Sequence, residues 1–275
     1  MTDTRHTGPP TAPAAASQRA QGRLSDPHQT SSVHWELPVE TPVALRINGE
    51  EYAVMLCTPQ DLEDFARGFL LSEALVPQPD AIQAMHMLHL ERGIRIDIQV
   101  RASALARQAL KQRRLAGRSG CGCCGLQSLD DTLRPLPQLP ARPPVPAATI
   151  LRAFARLHEH QPIKQCNRSV HGAAWCDAQG EIHLSREDVG RHNALDKLIG
   201  ALALQGREPT AGFAILSSRC SYELVQKAVS VGIGALATLS APTSLALQLA
   251  QQAGLQLSAK CGDGIITFNP NTDPT

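Results

Sequence analysis

The stretch GFAILSSRCSYELVQKAVSVGIGALATLSAPTSLALQLAQQAG, Gly212 to Gly254, decides the fold class. Residues 212–216 and 234–239 are short apolar runs. Each leads into small hydroxyl residues and then into apolar residues at helical spacing. The pattern predicts a strand, a helix over 222–231, a second strand and a helix over 243–253, ended by Gly254. Working outward, 255–257 and 265–268 read as closing strands. On the other side, 149–157 reads as a helix, 170–176 and 181–184 as strands around Gly180, and 192–204 as a helix. Strand–helix alternation of this kind implies an α/β (α+β) architecture, a mixed sheet covered by helices. That domain is expected over residues 148–269, with 270–275 as a tail.

A smaller α+β domain is expected over 36–134. Val43, Leu45 and Ile47 alternate with Ala44 and Arg46, and Asn48-Gly49 is a hairpin signal with 52–57 as the return strand. Thr58-Pro59 reads as a helix start, with Leu62, Phe65, Ala66, Phe69 and Leu70 on one buried face. A second hairpin follows over 85–100. Residues 101–118 can form a basic helix running into the glycine-rich loop at 117–125, which should be mobile. Six of the twenty prolines fall between Pro135 and Pro146, so 135–147 reads as a stiff connector and a domain boundary. Residues 1–35, rich in Pro, Ala, Ser, Thr and Gln, read as a disordered tail.

Composition excludes some classes of function. Aromatic residues make up only 3%, which argues against single-strand nucleic-acid binding on stacking platforms. The net charge is +1, so no global field draws the chain to nucleic acid or an anionic membrane, and any anion site must be local. No apolar run approaches the roughly 20 residues of a membrane span, and the first residues lack a signal-peptide core. The expected compartment is the cytoplasm, where eight cysteines argue for one reactive group among scattered small hydrophobes rather than a disulfide framework.

Gly120-Cys121-Gly122-Cys123-Cys124-Gly125 holds a C-x-x-C pair at Cys121 and Cys124. Such a pair is half a zinc site, a redox pair or a sulfur-handling pair. Zinc needs further ligands at short spacing, and neither Cys166 and Cys176 nor the scattered histidines supply them. A thioredoxin-like pair sits at a helix start, which flanking glycines oppose. A thiolate on a flexible loop near Arg114 and Arg118 suits sulfur that travels between two partners. His171-Gly172-Ala173 invites comparison with zinc deaminases, but Ala173 replaces their Glu and the motif order is reversed. The string from Glu187 to Lys197 offers Arg191, His192 and Asn193 at a helix start. Ser218, Arg219 and Ser221, then Ser240 and Thr243, open the next two helices. Three such loops at the ends of sheet strands make a nucleotide-like anion site without a P-loop.

Together these residues resemble the FdhD family, the formate dehydrogenase accessory sulfurtransferases, over about Glu40 to Phe268. The resemblance rests on Asn48-Gly49, Thr58-Pro59 with Gly68 to Glu73, the C-G-x-C-G loop, Val170-His171, Glu187 to Lys197, Ser218-Arg219 with Ser221-Tyr222-Glu223, and Ser240 to Ser244. It implies a cytidine-deaminase-like catalytic domain without deaminase chemistry. It further implies that a cysteine desulfurase loads a persulfide on Cys121, with Cys124 as its partner. The sulfur would pass to the molybdenum bis(molybdopterin guanine dinucleotide) cofactor, bound as substrate, for insertion into apo formate dehydrogenase. A homodimer is implied as well; zinc is not. Lys260, Cys261, Gly262, Asp263, Gly264 and Ile265 occupy the place of the family's cofactor-binding loop near the C-terminus, and His171 is assigned to the same cofactor. The alternative is a non-catalytic chaperone that holds the cofactor and docks the apoenzyme.

Overall fold

The computed structural model of the chain describes residues 15–25, 27–28, 30–106 and 135–268. Cys121, Cys123 and Cys124, with the rest of the glycine-rich loop, lie outside the described residues. So do residues 270–275.

Among the described residues the first element is a two-stranded antiparallel ribbon, β1 (Ser17–Ser25) with β2 (Thr30–Pro38). Over residues 17–25 and 30–35 this differs from the disordered tail expected over 1–35. Averaged composition hid a period-2 pattern: Ala20 and Leu24 share one face with Val33, Trp35 and Leu37, while Arg19, Arg23 and Glu36 share the other.

A four-stranded sheet follows in the order β4-β3-β6-β5, from β3 (Thr41–Ile47), β4 (Glu50–Cys57), β5 (Ile82–Leu90) and β6 (Gly93–Val100). Asn48 and Gly49 both take positive φ, 48° and 86°, as the tight β3–β4 turn requires. Between the two hairpins runs α1 (Leu62–Ser72), whose buried face includes Phe65, Ala66, Phe69 and Leu70. Thr58 is not its cap, as the sequence suggested; Asp61 holds the N-cap position in the left-handed region. Thr58 is instead fully buried and bonded to a loop more than a hundred residues away. After Val100, residues 102–104 form a turn rather than the start of the expected basic helix.

Residues 135–146 form neither helix nor strand and are pinned along the second sheet. Leu139 N–H donates to Ala253 O, the Arg142 guanidinium to Gly212 O, and Val145 exchanges two bonds with the Gln256 amide. Then come α2 (Ala147–Arg156), α3 (Pro162–Asn167), β7 (His171–Cys176), β8 (Ile182–Asp188), α4 (Arg191–Leu204), β9 (Phe213–Leu216), α5 (Tyr222–Ser230), β10 (Ala235–Thr238), α6 (Ser244–Ala253), β11 (Gln256–Cys261) and β12 (Gly264–Phe268). The six strands lie in the order β12-β11-β10-β9-β7-β8. β9, β10 and β11 are mutually parallel, and the remaining neighbours pair antiparallel. The mixed sheet expected from the alternation is therefore present.

Both faces of this sheet are covered. In β9, Phe213 and Ile215 pack with Val145, Ile150 and Phe154 on the α2 side. Ala214 and Leu216 face the larger core, which runs from Val43 and Phe65 through Leu195 to Leu257. All residues of β9 and β10 are buried, as central strands between two layers must be. The two sheets share that larger core because α1 crosses α4 at two glycines. A Cβ on Gly68 would lie 1.7 Å from Asp196 O, and one on Gly200 would lie 1.9 Å from Asp64 O. Only hydrogen at both positions permits so close an approach.

Candidate functional site

Strand register brings the sequence-predicted binding residues to one end of the six-stranded sheet. His171 pairs with Asp188, Ala173 with Leu216, Leu216 with Thr238, and Thr238 with Ala259. The carboxyl ends of β8, β9, β10 and β11 thus lie side by side, together with the start of β7. Arg191, His192 and Asn193 open α4 after β8. Ser218, Arg219 and Ser221 link β9 to α5, and Ser240 and Thr243 link β10 to α6. The last two loops are joined by backbone bonds, Ser240 N–H to Ser218 O and Thr243 N–H to Cys220 O. Open α/β sheets bind ligands at such strand ends.

Lys260 to Ile265 also reach this end, in a form the sequence did not predict. Lys260 and Cys261 finish β11, Gly262 and Asp263 make a two-residue turn, and Gly264 and Ile265 begin β12. The segment is a tight hairpin rather than an open loop, because Gly262 takes a φ of 55° and lets β11 fold straight back. The Lys260 ammonium donates to Gly262 O within the turn.

A cavity of about 320 Å³ opens here between β4 and the starts of α4 and β7. His171, Arg191, His192 and Asn193 line it, as does Glu223, while Val54 and Leu56 form part of its rim. Ser218, Arg219, Ser240, Thr243 and Lys260 to Ile265 share the sheet end but not this cavity.

The cavity wall is held by buried charge. The Lys197 ammonium lies 2.7 Å from Asp188 Oδ2, both side chains fully buried. Asp188 accepts from Thr58 N–H through Oδ2, and from Gly190 N–H and the Asn193 amide through Oδ1. The Asn193 amide also donates to Leu56 O. Asn193 therefore positions the turn before α4, and its NH₂ is already engaged by protein. Thr243 is likewise engaged, since its Oγ1 accepts from Ala246 N–H as the α6 cap. Ser218 Oγ donates to Arg219 O.

Three other groups give the site its electrostatics. Burial, then the Arg191 and Lys164 charges, push the His171 imidazole below its ordinary pKa and favour its neutral form. Arg191 Nε is buried without a hydrogen-bond acceptor among the described residues, which buried donors of native proteins rarely lack. Burial alone would raise the Glu223 carboxyl, but hydrogen bonds from His192 and Ser221 outweigh it and hold its pKa at about 2. Ser221, His192 and Glu223 do not form a hydrolase relay. His192 Nε2 faces both Ser221 Oγ at 3.4 Å and Glu223 Oε2 at 3.2 Å, whereas a relay uses one ring nitrogen for each.

Sequence reasoning missed Asp188 as the organiser of the turn, Glu223 as the acceptor for His192 and Ser221, and Lys164 beside His171. The available signal was the density of polar residues from Glu187 to Lys197, together with Glu223 two positions after Ser221. The described cysteines divide cleanly. Burial raises the thiol pKa of Cys57, Cys176 and Cys220, the last to about 12, so these three stay protonated and unreactive. Cys166 and Cys261 are exposed. Among the described residues no group of three or more His, Cys, Asp or Glu is placed to hold a metal. No described helix is long and apolar enough to cross a membrane.

Residues 38–265 match the model of the FdhD/NarQ family. The chain is 44% identical over 218 residues to the Sulfur carrier protein FdhD of Bordetella petrii, covering 79% of this chain and 78% of that one. It is 44% identical over 231 residues to the protein of that name from Variovorax paradoxus, covering 84% and 83%. It is 45% identical over 229 residues to that of Xanthomonas campestris pv. campestris, covering 83% and 82%. A crystal structure described as a formate dehydrogenase accessory protein from Desulfotalea psychrophila superposes with a TM-score of 0.74 at 23% identity, covering 93% of this chain and 98% of that one. At that identity the likeness concerns the fold.

Proposed function

Because this chain belongs to the FdhD/NarQ family, we propose that it is a sulfur carrier serving formate dehydrogenase maturation. Sulfur arrives from a cysteine desulfurase as a persulfide. The Cys121 thiolate attacks the terminal sulfur, the donor's S–S bond breaks, and the donor leaves as a thiolate. The loaded Cys121 persulfide then yields its outer sulfur when the Cys124 thiolate attacks the inner one. That step forms a Cys121–Cys124 disulfide and releases hydrosulfide to the acceptor, and a cellular dithiol reductant restores both thiols.

The acceptor is the molybdenum bis(molybdopterin guanine dinucleotide) cofactor, bound as substrate at the sheet end. The observation that carries this reading is the Arg191 guanidinium on the cavity wall, its Nε buried without an acceptor. A pyrophosphate oxygen supplies the missing acceptor, and the loops bearing Arg219, Ser221, Ser240 and Lys260 lie along the same strand ends for the rest of an elongated dinucleotide. His171 and His192, on the same cavity wall, add ring nitrogens that can hydrogen-bond the bound group.

The test is direct. The full chain is incubated with a cysteine desulfurase and cysteine, and intact mass is taken with and without reductant. A gain of one sulfur atom, reversed by reductant and missing in Cys121→Ala, supports the carrier reading. A chain that binds guanosine diphosphate yet never gains sulfur supports the chaperone reading instead.

A further inference from the structure

A second cavity, also of about 320 Å³, lies at the same sheet end on the α2 side. Phe154 and Leu157 form an apolar wall, together with Leu239, the residue that follows β10. Leu239 N–H donates to Leu216 O at the end of β9, which fixes this cavity beside the strand ends that carry the first one. The two cavities stand on opposite faces of β7. His171 lines the first. The next residue, Gly172, lies under the Gln161 side chain of the second, as the alternation of a strand requires. A Cβ on Gly172 would lie 2.2 Å from Gln161 Nε2, so glycine makes the room in which this amide sits. Gln161 is only 4% exposed, and its Nε2 has no hydrogen-bond acceptor among the described residues. Lys164 lines the same cavity, and its charge, like that of Arg191 in the first, acts on His171.

We propose that this second cavity holds a 2-amino-4-oxopyrimidine ring of the substrate, with Gln161 as the residue that reads it. The inference rests on the cofactor-binding reading above. Three apolar side chains around one uncharged amide suit a neutral ring better than an ion, whose lost hydration they would not replace. The substrate contains this ring in its guanines and in its pterins, and in both the C=O and N–H lie side by side. A glutamine amide matches that edge, donating to the C=O through Nε2 and accepting from the N–H through Oε1. The last side-chain torsion of glutamine is broad, so the amide can turn from Gly172 toward the ring without a change of backbone. A diphosphate that follows a guanine out of the cavity passes Lys164 and meets Arg191 beyond β7. Gln161 selects the ring, while Arg191 holds the charge.

Isothermal titration of three compounds into the full chain tests this. Guanosine diphosphate carries the guanine ring, neopterin the pterin ring and inorganic pyrophosphate neither. Gln161→Leu removes the amide at nearly constant size, and Leu239→Trp fills the cavity from its partly exposed side; circular dichroism checks that each variant folds. At least one ring compound should bind both variants at least about tenfold more weakly than it binds the wild type. Pyrophosphate should bind all three proteins alike. The compound that loses affinity identifies the ring as guanine or pterin. Ring binding unchanged in both variants overturns the proposal. So does a wild type that takes up pyrophosphate but neither ring compound, and in both cases the anion site at Arg191 stands. A wild type that binds none of the three overturns the proposal and the cofactor-binding reading together.

Discussion

Lys197 and Asp188, fully buried and 2.7 Å apart, join the first turns of α4 to the strand end from which it springs. Lys197 also donates to the carbonyls of Thr58 and Glu187, so one ammonium ties β4, β8 and α4 together. Lys197→Met would leave the Asp188 carboxylate buried without its cation. Loss of one partner of such a pair costs about 3–5 kcal/mol. Urea unfolding should show a loss of that size, and an unchanged midpoint would mean that the pair contributes nothing to holding the site.

Gly200→Ala should destabilise by more than about 3 kcal/mol, although alanine is the better helix former. The added methyl would sit 1.9 Å from Asp64 O, and backbone cannot swing aside as a side chain can. Thermal unfolding of Gly200→Ala beside an alanine at the exposed neighbour Leu204 separates overpacking from a general helix effect. Equal melting temperatures would refute the close crossing.

Arg191→Ala should weaken guanosine diphosphate binding by about 1–3 kcal/mol, the worth of a charge-assisted bond in a partly buried site. Arg219→Ala should do the same if the ligand reaches the loop after β9. Isothermal titration with both variants reads the two losses, and full affinity in both would remove the diphosphate from this sheet end.

Stability in acid should depend on Glu223. Its folded pKa of about 2 lies below the ordinary 4.5, so its ionised form stabilises the fold above pH 4.5. That contribution is lost as pH falls from 4.5 toward 2. Glu223→Gln has no such titration, and the gap in melting temperature between wild type and variant should narrow over that window. A gap constant with pH would falsify the assignment.

The three loop cysteines should separate by role. Cys121→Ala should abolish sulfur loading and client maturation, Cys124→Ala should impair transfer more than loading, and Cys123→Ala should be close to silent. Intact mass and formate dehydrogenase activity of the matured client read the two steps. Persulfide on Cys123 alone would overturn the order.

The local parts of this fold were open to sequence reasoning because local chemistry sets them. Asn48-Gly49 fixes a turn whatever surrounds it, and the small hydroxyl residues after β9 and β10 mark helix starts. Position along the chain also carried the site to one sheet end, since strand ends that precede helices in parallel order lie together. What stayed hidden depends on contacts across the chain. Thr58 looks like a cap until Asp188 is placed beside it. Gly68 and Gly200 look like weak points in two helices until those helices cross. The ribbon at 17–38 looks polar until its two strands are set in register. Lys260 to Ile265 reads as a loop because a hairpin turn and a binding loop share the same glycines.

The placement of every candidate binding loop beyond a strand end divides the molecule into parts that tolerate change differently. The strands and the α1–α4 crossing admit little variation, because each side chain there answers to several neighbours. The loops after β8, β9 and β10 and the β11–β12 hairpin each begin from a fixed strand end, and substitutions at well-separated positions act nearly independently. Their chemistry can drift one loop at a time while the scaffold stays as it is. A chain of this design can therefore be refitted to a different cargo by a few exchanges at one rim, without having to learn to fold again.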